Sequence, residues 1–253
     1  MCNKQLKDGT CDHVIDRRRF LMSSGKLAAL AAVAPIVSGL SGCMKGAGKT
    51  VPPNIPDNSM SADEALSDLM LGNERYVSGE LNPRDFSATR AALAKDQKPI
   101  AAMLCCADSR VAPELVFDKS RGRLFVVRIA GNILESGGLA SFEYAVKFLG
   151  TPLIMVLGHS ACGAVDAAIK VVEDNAVLPG HLPELVNAIK PAVNMAKRQP
   201  GSLLVNSINA NVILNVNRIK SAGPIVSNFV NQGKVQVVGG IYELATGRVE
   251  LIA

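Results

Sequence analysis

Short apolar runs recur along this chain and are separated by polar or amphipathic segments. Residues 100–105, 123–129, 153–157 and 234–242 are dominated by aliphatic and β-branched side chains. Runs of this length and composition are typical of strands that a parallel sheet buries on both faces. They therefore predict the strands of a central sheet.

The segments between these runs carry helical signals. Ser61-Ala62-Asp63-Glu64 is a capping-box pattern, which predicts a helix that ends near Ser78. Thr246-Gly247 is typical of a hairpin turn between two strands. The order of elements predicts an α/β fold, a mainly parallel sheet flanked by helices. Further helices are predicted over 87–96, 137–148, from just after His159 to about 173, and over 184–198, 202–220 and 225–232, and a short helix or turn is predicted over 111–119.

The first 43 residues differ in pattern and indicate an export signal. Arg17-Arg18-Arg19-Phe20-Leu21 resembles the twin-arginine motif, and the apolar run 27–37 is too short for a comfortable membrane span. Leu40-Ser41-Gly42-Cys43 resembles a bacterial lipobox, in which Cys43 is lipidated. An uncleaved amphipathic leader and a single anchor helix are the alternatives.

Residues 44–60 are rich in Gly, Pro, Lys, Asn and Ser and predict a flexible tether, which leaves 61–253 as the folded domain. The segments together predict export in folded form, followed by lipid anchoring on the periplasmic or cell-surface side. The membrane would be contacted through the lipid only.

The composition of the chain argues against some classes of binding partner. Of the net charge of +5, residues 1–42 contribute about +3, so the remainder is too weakly basic to suggest a polyanion partner. Aromatic residues make up 4% of the chain and Trp is absent, which argues against a stacking surface for nucleic acid. Cys2 and Cys11 fall in the leader, so no disulfide framework is evident.

Two motifs rich in metal-ligand residues follow two of the apolar runs. Cys106-Ala107-Asp108-Ser109-Arg110 follows 100–105, and His159-Ser160-Ala161-Cys162 follows 153–157. Open α/β sheets place their sites at the carboxyl ends of strands. Packing is the alternative for each motif alone, because a Cys at a strand end is usually a core residue.

The spacing within each motif predicts a shared site. Cys106 and Asp108 are two apart, so an extended segment points both to one side. Ser160 is predicted to cap a helix that begins at this point, whose first turn would present His159 and Cys162 together. Two thiolates, an imidazole and a carboxylate suit tetrahedral zinc, one ion per chain.

The two motifs, extended to Gly158 and Gly163, resemble the signature of the β-class carbonic anhydrases. The similarity runs from about residue 61 to the C-terminus and includes Phe125-Val126-Val127-Arg128 and Ser141-Phe142-Glu143-Tyr144. The resemblance implies an antiparallel strand at the sheet edge. It also implies a homodimer or homotetramer in which the helix after Ser61 embraces a partner subunit.

The resemblance further implies reversible hydration of carbon dioxide to bicarbonate and a proton. Zinc would be held by Cys106, His159 and Cys162, with Asp108 or water in the fourth position. Arg110 would orient Asp108 to accept a hydrogen bond from the reacting hydroxide. Without the resemblance, this pair would be a surface salt bridge worth little.

Plant-like members of that family also suggest four substrate-binding positions: Gln97, Phe125, Tyr144 and the backbone of Gly163. On the sequence alone, Gln97 is a loop residue and Phe125 a core aromatic. Cys105 is predicted by strand alternation to point into the core, away from the metal.

Two other functions share the predicted metal site. One is a zinc hydrolase acting on carbonyl sulfide or carbon disulfide. The other is a zinc-binding or redox-sensing lipoprotein that keeps the fold without catalysis. The presence of Asp108, Arg110 and Gln97 weighs against the second. The first would share its metal site with the carbonic anhydrase, so the sequence separates these two poorly, and a carbon dioxide hydration assay on the zinc-loaded protein is the most informative test.

Overall fold

The computed structural model describes residues 60–84, 87 and 90–253. The predicted export signal, Cys43 and all but the last residue of the predicted tether lie outside the described residues. Within the described part of the chain, no helix combines the length and the hydropathy that crossing a membrane requires.

One five-stranded sheet forms the centre of the domain, in the order β2-β1-β3-β4-β5. The first four strands in this order are parallel, and β5 pairs antiparallel with β4. The predicted parallel sheet with an antiparallel edge strand is therefore confirmed. The strands are β1 (Ala101–Cys105), β2 (Leu124–Arg128), β3 (Leu153–His159), β4 (Gln236–Tyr242) and β5 (Val249–Leu251).

Helices cover both faces of the sheet. The capping box at Ser61 opens the first helix as predicted, with both reciprocal hydrogen bonds to Glu64. The helix predicted over 87–96 is shorter than expected, since four of its residues are helical in the described chain. The short helix or turn predicted over 111–119 contains a helix of four residues. The helices are α1 (Ala62–Ser78), α2 (Arg90–Leu93), α3 (Pro113–Val116), α4 (Ser136–Phe148), α5 (Gly163–Asp174), α6 (Leu182–Ala196), α7 (Leu203–Lys220) and α8 (Val226–Asn231).

Alternation along the central strands divides the core. Met103 and Cys105 of β1 pack on the side of α1 and α3, whereas Ala102 and Leu104 pack on the side of α4 and α7. Cys105 therefore points into the core, as predicted. A strand buried on both faces needs a nearly continuous apolar sequence, which explains the run at 100–105.

Two glycines let α7 lie close to the sheet. A Cβ at Gly158 of β3 would come within 2.6 Å of Val212 Cγ2, and one at Gly239 of β4 within 2.7 Å of Val212 Cγ1. Any larger residue at these positions would push the helix away from the strands. The close approach brings the polar side chains of α7 to the carboxyl edge of the sheet.

Candidate metal centre

Strand ends bring three potential ligands together. Cys106 directly follows β1, His159 is the last residue of β3, and Cys162 is the N-cap of α5. Because β1 and β3 are adjacent and parallel, their carboxyl ends meet at one edge. All three side chains are buried, and their donor atoms lie within 4.8 Å of one another.

The local structure of the second motif differs from the prediction. His159 and Cys162 do not share a helical turn, since β3 continues through His159 by pairing with Tyr242. The chain then turns at Ala161, whose φ is 52°, before α5 begins. The predicted cap at Ser160 is wrong for the same reason, and its hydroxyl instead contacts Glu243.

The imidazole of His159 is oriented for metal binding. Its Nδ1 lies 2.9 Å from the carbonyl oxygen of Ser160, and because a carbonyl only accepts, Nδ1 carries the proton. The lone pair is thereby left on Nε2, which is buried without a hydrogen-bond partner. A buried ring nitrogen of this kind beside two thiols fits a zinc ion.

The thiols are electrostatically unequal. The hydrogen bond from Cys162 lowers the pKa of Cys106 to about 4 against the opposing effect of burial, with help from the backbone N–H of Gly131. Sharing its hydrogen bond with Cys106 raises the pKa of Cys162. One thiolate is thus favoured even before a metal binds, and the thiolate is the form that ligates metals.

Asp108 lies beside these three residues and pairs with Arg110. Arg110 Nε donates to Oδ1 at 2.9 Å and Nη2 to Oδ2 at 2.7 Å, a bidentate geometry. The Arg110 hydrogen bond holds the pKa of Asp108 well below its usual range. Oδ2 lies 3.9 Å from His159 Nε2, so the carboxylate faces the site while remaining bound to Arg110.

Arg128, at the end of β2, is a site residue for which no role was predicted. Its Nε donates to the carbonyl of Cys106 at 3.1 Å and its Nη2 to the carbonyl of Asp108 at 2.7 Å. These bonds fix the backbone of the first motif. The sequence signal for this role is an arginine at the end of an otherwise apolar strand.

Two buried asparagines of α7 support the site from the other side. Asn211 Nδ2 donates to the carbonyl of Gly131 at 2.8 Å, and Asn215 Oδ1 accepts from the N–H of Leu134. They hold the short 3-10 turn whose Gly131 N–H lies 3.2 Å from Cys106 Sγ. The sequence signal for this contact is the high asparagine content of α7, a helix that also contributes apolar side chains to the core.

The predicted substrate contacts are divided between two places. Gly163 begins α5, directly after Cys162. Gln97 is exposed before the amino end of β1, and it shares with Tyr144 a cleft of about 660 Å³ that no metal-ligand residue lines. The ring of Phe125 lies 6.2 Å from that of Tyr144. Within one chain these three side chains are not brought to the metal group, and their role stays a prediction.

A buried Cys-His-Cys group at the carboxyl edge of a parallel sheet identifies this as an α/β protein with a candidate metal centre. Comparison with known proteins identifies the family, because residues 101–249 match the family described as "Carbonic anhydrase". "Carbonic anhydrase 2" of Mycobacterium tuberculosis is 38% identical over 195 residues, which span 77% of this chain and 93% of that protein. A carbonic anhydrase of Pseudomonas aeruginosa is 35% identical over 63% of this chain and 76% of its own.

Solved structures agree with this assignment. The β-carbonic anhydrase CcaA superposes with a TM-score of 0.58 at 26% identity, covering 74% of this chain and 95% of that one. The Coccomyxa β-carbonic anhydrase gives 0.59 at 27% identity, covering 66% and 78%. This chain belongs to the carbonic anhydrase family, in its β class.

Proposed function

We propose that this chain catalyses the zinc-dependent, reversible hydration of carbon dioxide to bicarbonate and a proton. The observation that carries the proposal is the buried Cys-His-Cys group with the Asp108–Arg110 pair facing it. Cys106, His159 and Cys162 would hold the zinc, which fits their donor types and the unpartnered Nε2 of His159.

A bound zinc lowers the pKa of water towards neutrality and so supplies hydroxide for attack on carbon dioxide. The protein contributes orientation and charge. Asp108 accepts a hydrogen bond from the reacting oxygen, and Arg110 keeps its carboxylate ionised and fixed in direction. Arg128 holds the backbone on which Asp108 stands.

The alternatives are not favoured. A non-catalytic zinc protein would have no need of a bidentate carboxylate–guanidinium pair aimed at the metal group. A hydrolase of carbonyl sulfide or carbon disulfide would use the same ligands, but the relatives and structures named above are carbonic anhydrases.

Stopped-flow hydration of carbon dioxide by the zinc-loaded chain tests the proposal. We expect a rate well above that of buffer, abolished by chelation and restored by zinc. A stoichiometrically loaded chain with no rate above buffer would refute it, and hydrolysis of carbonyl sulfide or carbon disulfide in the same preparation would favour the related hydrolase.

We further propose that Cys43 anchors the exported protein to the membrane. Support comes only from the twin-arginine-like motif and the lipobox-like sequence. Cys43→Ala should abolish metabolic labelling by fatty acid, and Arg17→Lys with Arg18→Lys should block export. Labelling that persists in Cys43→Ala, or unchanged export of the double variant, contradicts this assignment.

The working unit is proposed to be a homodimer or homotetramer. Tyr144 and Phe148 of α4 are 47% and 53% exposed, which leaves an aromatic surface beside the cleft that contains Gln97. Since Gln97, Phe125 and Tyr144 cannot serve the metal of their own chain, they could contact substrate only across a subunit interface.

A further inference from the structure

The turn between β4 and β5 contacts the loop that carries the metal ligands. Ser160 Oγ donates to Glu243 Oε1 at 2.9 Å and accepts from the N–H of Leu244 at 3.0 Å. The N–H of Ser160 donates to the carbonyl of Tyr242 at 3.0 Å. Three hydrogen bonds therefore fix a single residue that lies between two metal ligands.

The backbone carbonyl of Ser160 sets the tautomer of the His159 imidazole. It accepts a hydrogen bond from Nδ1–H at 2.9 Å, which leaves the lone pair on Nε2, the ring nitrogen that faces the two thiols. The next residue, Ala161, has a left-handed φ of 52°, an unfavourable conformation for a residue with a Cβ that depends on contacts of its neighbours, such as those of Ser160. Loss of a hydrogen-bond partner that orients a metal-ligating imidazole typically lowers the affinity for the metal.

The turn is rigid enough to provide such support. Asn73 of α1 is buried, donates to the carbonyl of Gly247 at 2.8 Å and accepts from the N–H of Val249 at 2.9 Å. Glu243 Oε1 also accepts from the N–H of Ala245 at 3.1 Å. The carboxylate is thus fixed within the turn while it binds the Ser160 hydroxyl.

We propose that Glu243 is a positioning residue for the zinc ligand His159, acting through the hydroxyl and backbone of Ser160. The inference rests on zinc binding at the proposed site. It assigns a role at the metal centre to a surface carboxylate 84 positions along the chain from His159. The competing explanation is that Glu243 only stabilises the turn.

Zinc release from the loaded full-length protein into excess chelator tests the proposal. Glu243→Ala should release zinc about tenfold faster or more, the range typical of lost outer partners of metal ligands. Glu243→Gln keeps an oxygen acceptor and should release zinc at nearly the wild-type rate. Glu250→Ala, which removes an exposed carboxylate from β5 of the same hairpin, is the matched control.

A double-variant cycle with Ser160→Ala separates positioning from turn stability. If Glu243 acts through Ser160, adding Glu243→Ala to Ser160→Ala should change zinc release little. Effects that multiply fully, or a Glu243→Ala variant that releases zinc like Glu250→Ala while melting earlier, overturn the proposal. Hydration activity is not the readout, so a chain that shows the predicted zinc release without turnover would refute the proposed function alone.

Discussion

Two adjacent cysteines have opposite environments in this protein. Cys105 is fully buried among apolar side chains, and burial raises the pKa of its thiol. Cys106 faces His159 and Cys162, where its thiolate is stabilised. A difference of one position at the end of β1 therefore separates a packing residue from a candidate metal ligand.

Metal content should distinguish these roles. Cys162→Ser should lose most of the bound zinc, because a neutral hydroxyl replaces a thiolate ligand. Cys105→Ser should retain about one zinc per chain, although burying a hydroxyl there should cost roughly 1–3 kcal/mol of stability. Zinc per chain is measured by atomic emission, and equal content in wild type and Cys162→Ser would remove the ligand assignment.

Arg110 is expected to affect turnover rather than metal binding. Arg110→Ala removes both side-chain hydrogen bonds to the Asp108 carboxylate, leaving only the backbone N–H of residue 110, and should lower the hydration rate on the order of a hundredfold while zinc is retained. Arg110→Lys should recover only part of the rate, since an ammonium cannot make the bidentate contact. Arg198→Ala, at an exposed site after α6, is the control. Near wild-type rates in Arg110→Ala would reduce the pair to a salt bridge.

At the scale of elements, a buried carboxylate connects α1 to the rest of the domain. The Asp118 carboxylate, just after α3, is closed off from solvent. Its Oδ2 accepts from Arg75 Nε of α1 and from Asn82, and its Oδ1 accepts from Arg84. Burial opposes the charge, but these donors together lower the pKa of Asp118.

The free energy of unfolding should therefore depend on Asp118 in a pH-sensitive way. A lowered folded-state pKa contributes stability that is present above the unfolded value near 3.9 and is lost as pH falls through the folded pKa. Asp118→Asn should cost about 3 kcal/mol at pH 7 and less at pH 3, where the carboxyl of the unfolded chain is already mostly protonated. Urea unfolding of the metal-free chain at both pH values measures this.

The control for that experiment is Asp166→Asn, which removes an exposed i,i+4 pair with Lys170 on α5. Such a pair should change stability by less than about 1 kcal/mol at either pH. If Asp118→Asn behaves like this control, the buried pairs contribute nothing beyond packing.

Local patterns predicted most elements, and contacts distant in sequence explain the failures. The strands and α1 follow from apolar runs and a capping box, which depend on neighbours only. The predicted helical turn at His159 is wrong because the pairing of His159 with Tyr242, which extends β3, joins residues far apart in sequence. The site follows the same rule. Spacing within two short motifs predicts Cys106, His159 and Cys162, whereas Arg128, Asn211 and Glu243 reach the site from other elements and were not predicted.

At the scale of the whole molecule, α4 exposes an aromatic surface for which the structure of a single chain offers no role. Tyr144 and Phe148 lie 5.5 Å apart between ring centroids, and Phe125 continues the group. Exposed apolar patches commonly mark interaction sites. The same surface borders the cleft of Gln97, at the amino end of β1, whereas Cys106 follows its carboxyl end.

Light scattering at micromolar concentration should therefore show a dimer or tetramer for the wild type. Phe148→Glu should shift the population to smaller species and lower the hydration rate without changing zinc content, because the metal group lies within one chain while Gln97 and Tyr144 would act across the interface. Val177→Glu alters a residue that is 94% exposed on the α5–α6 connection and should change neither property. A wild-type monomer with full activity would contradict both the assembly and the substrate-binding role of Gln97, Phe125 and Tyr144.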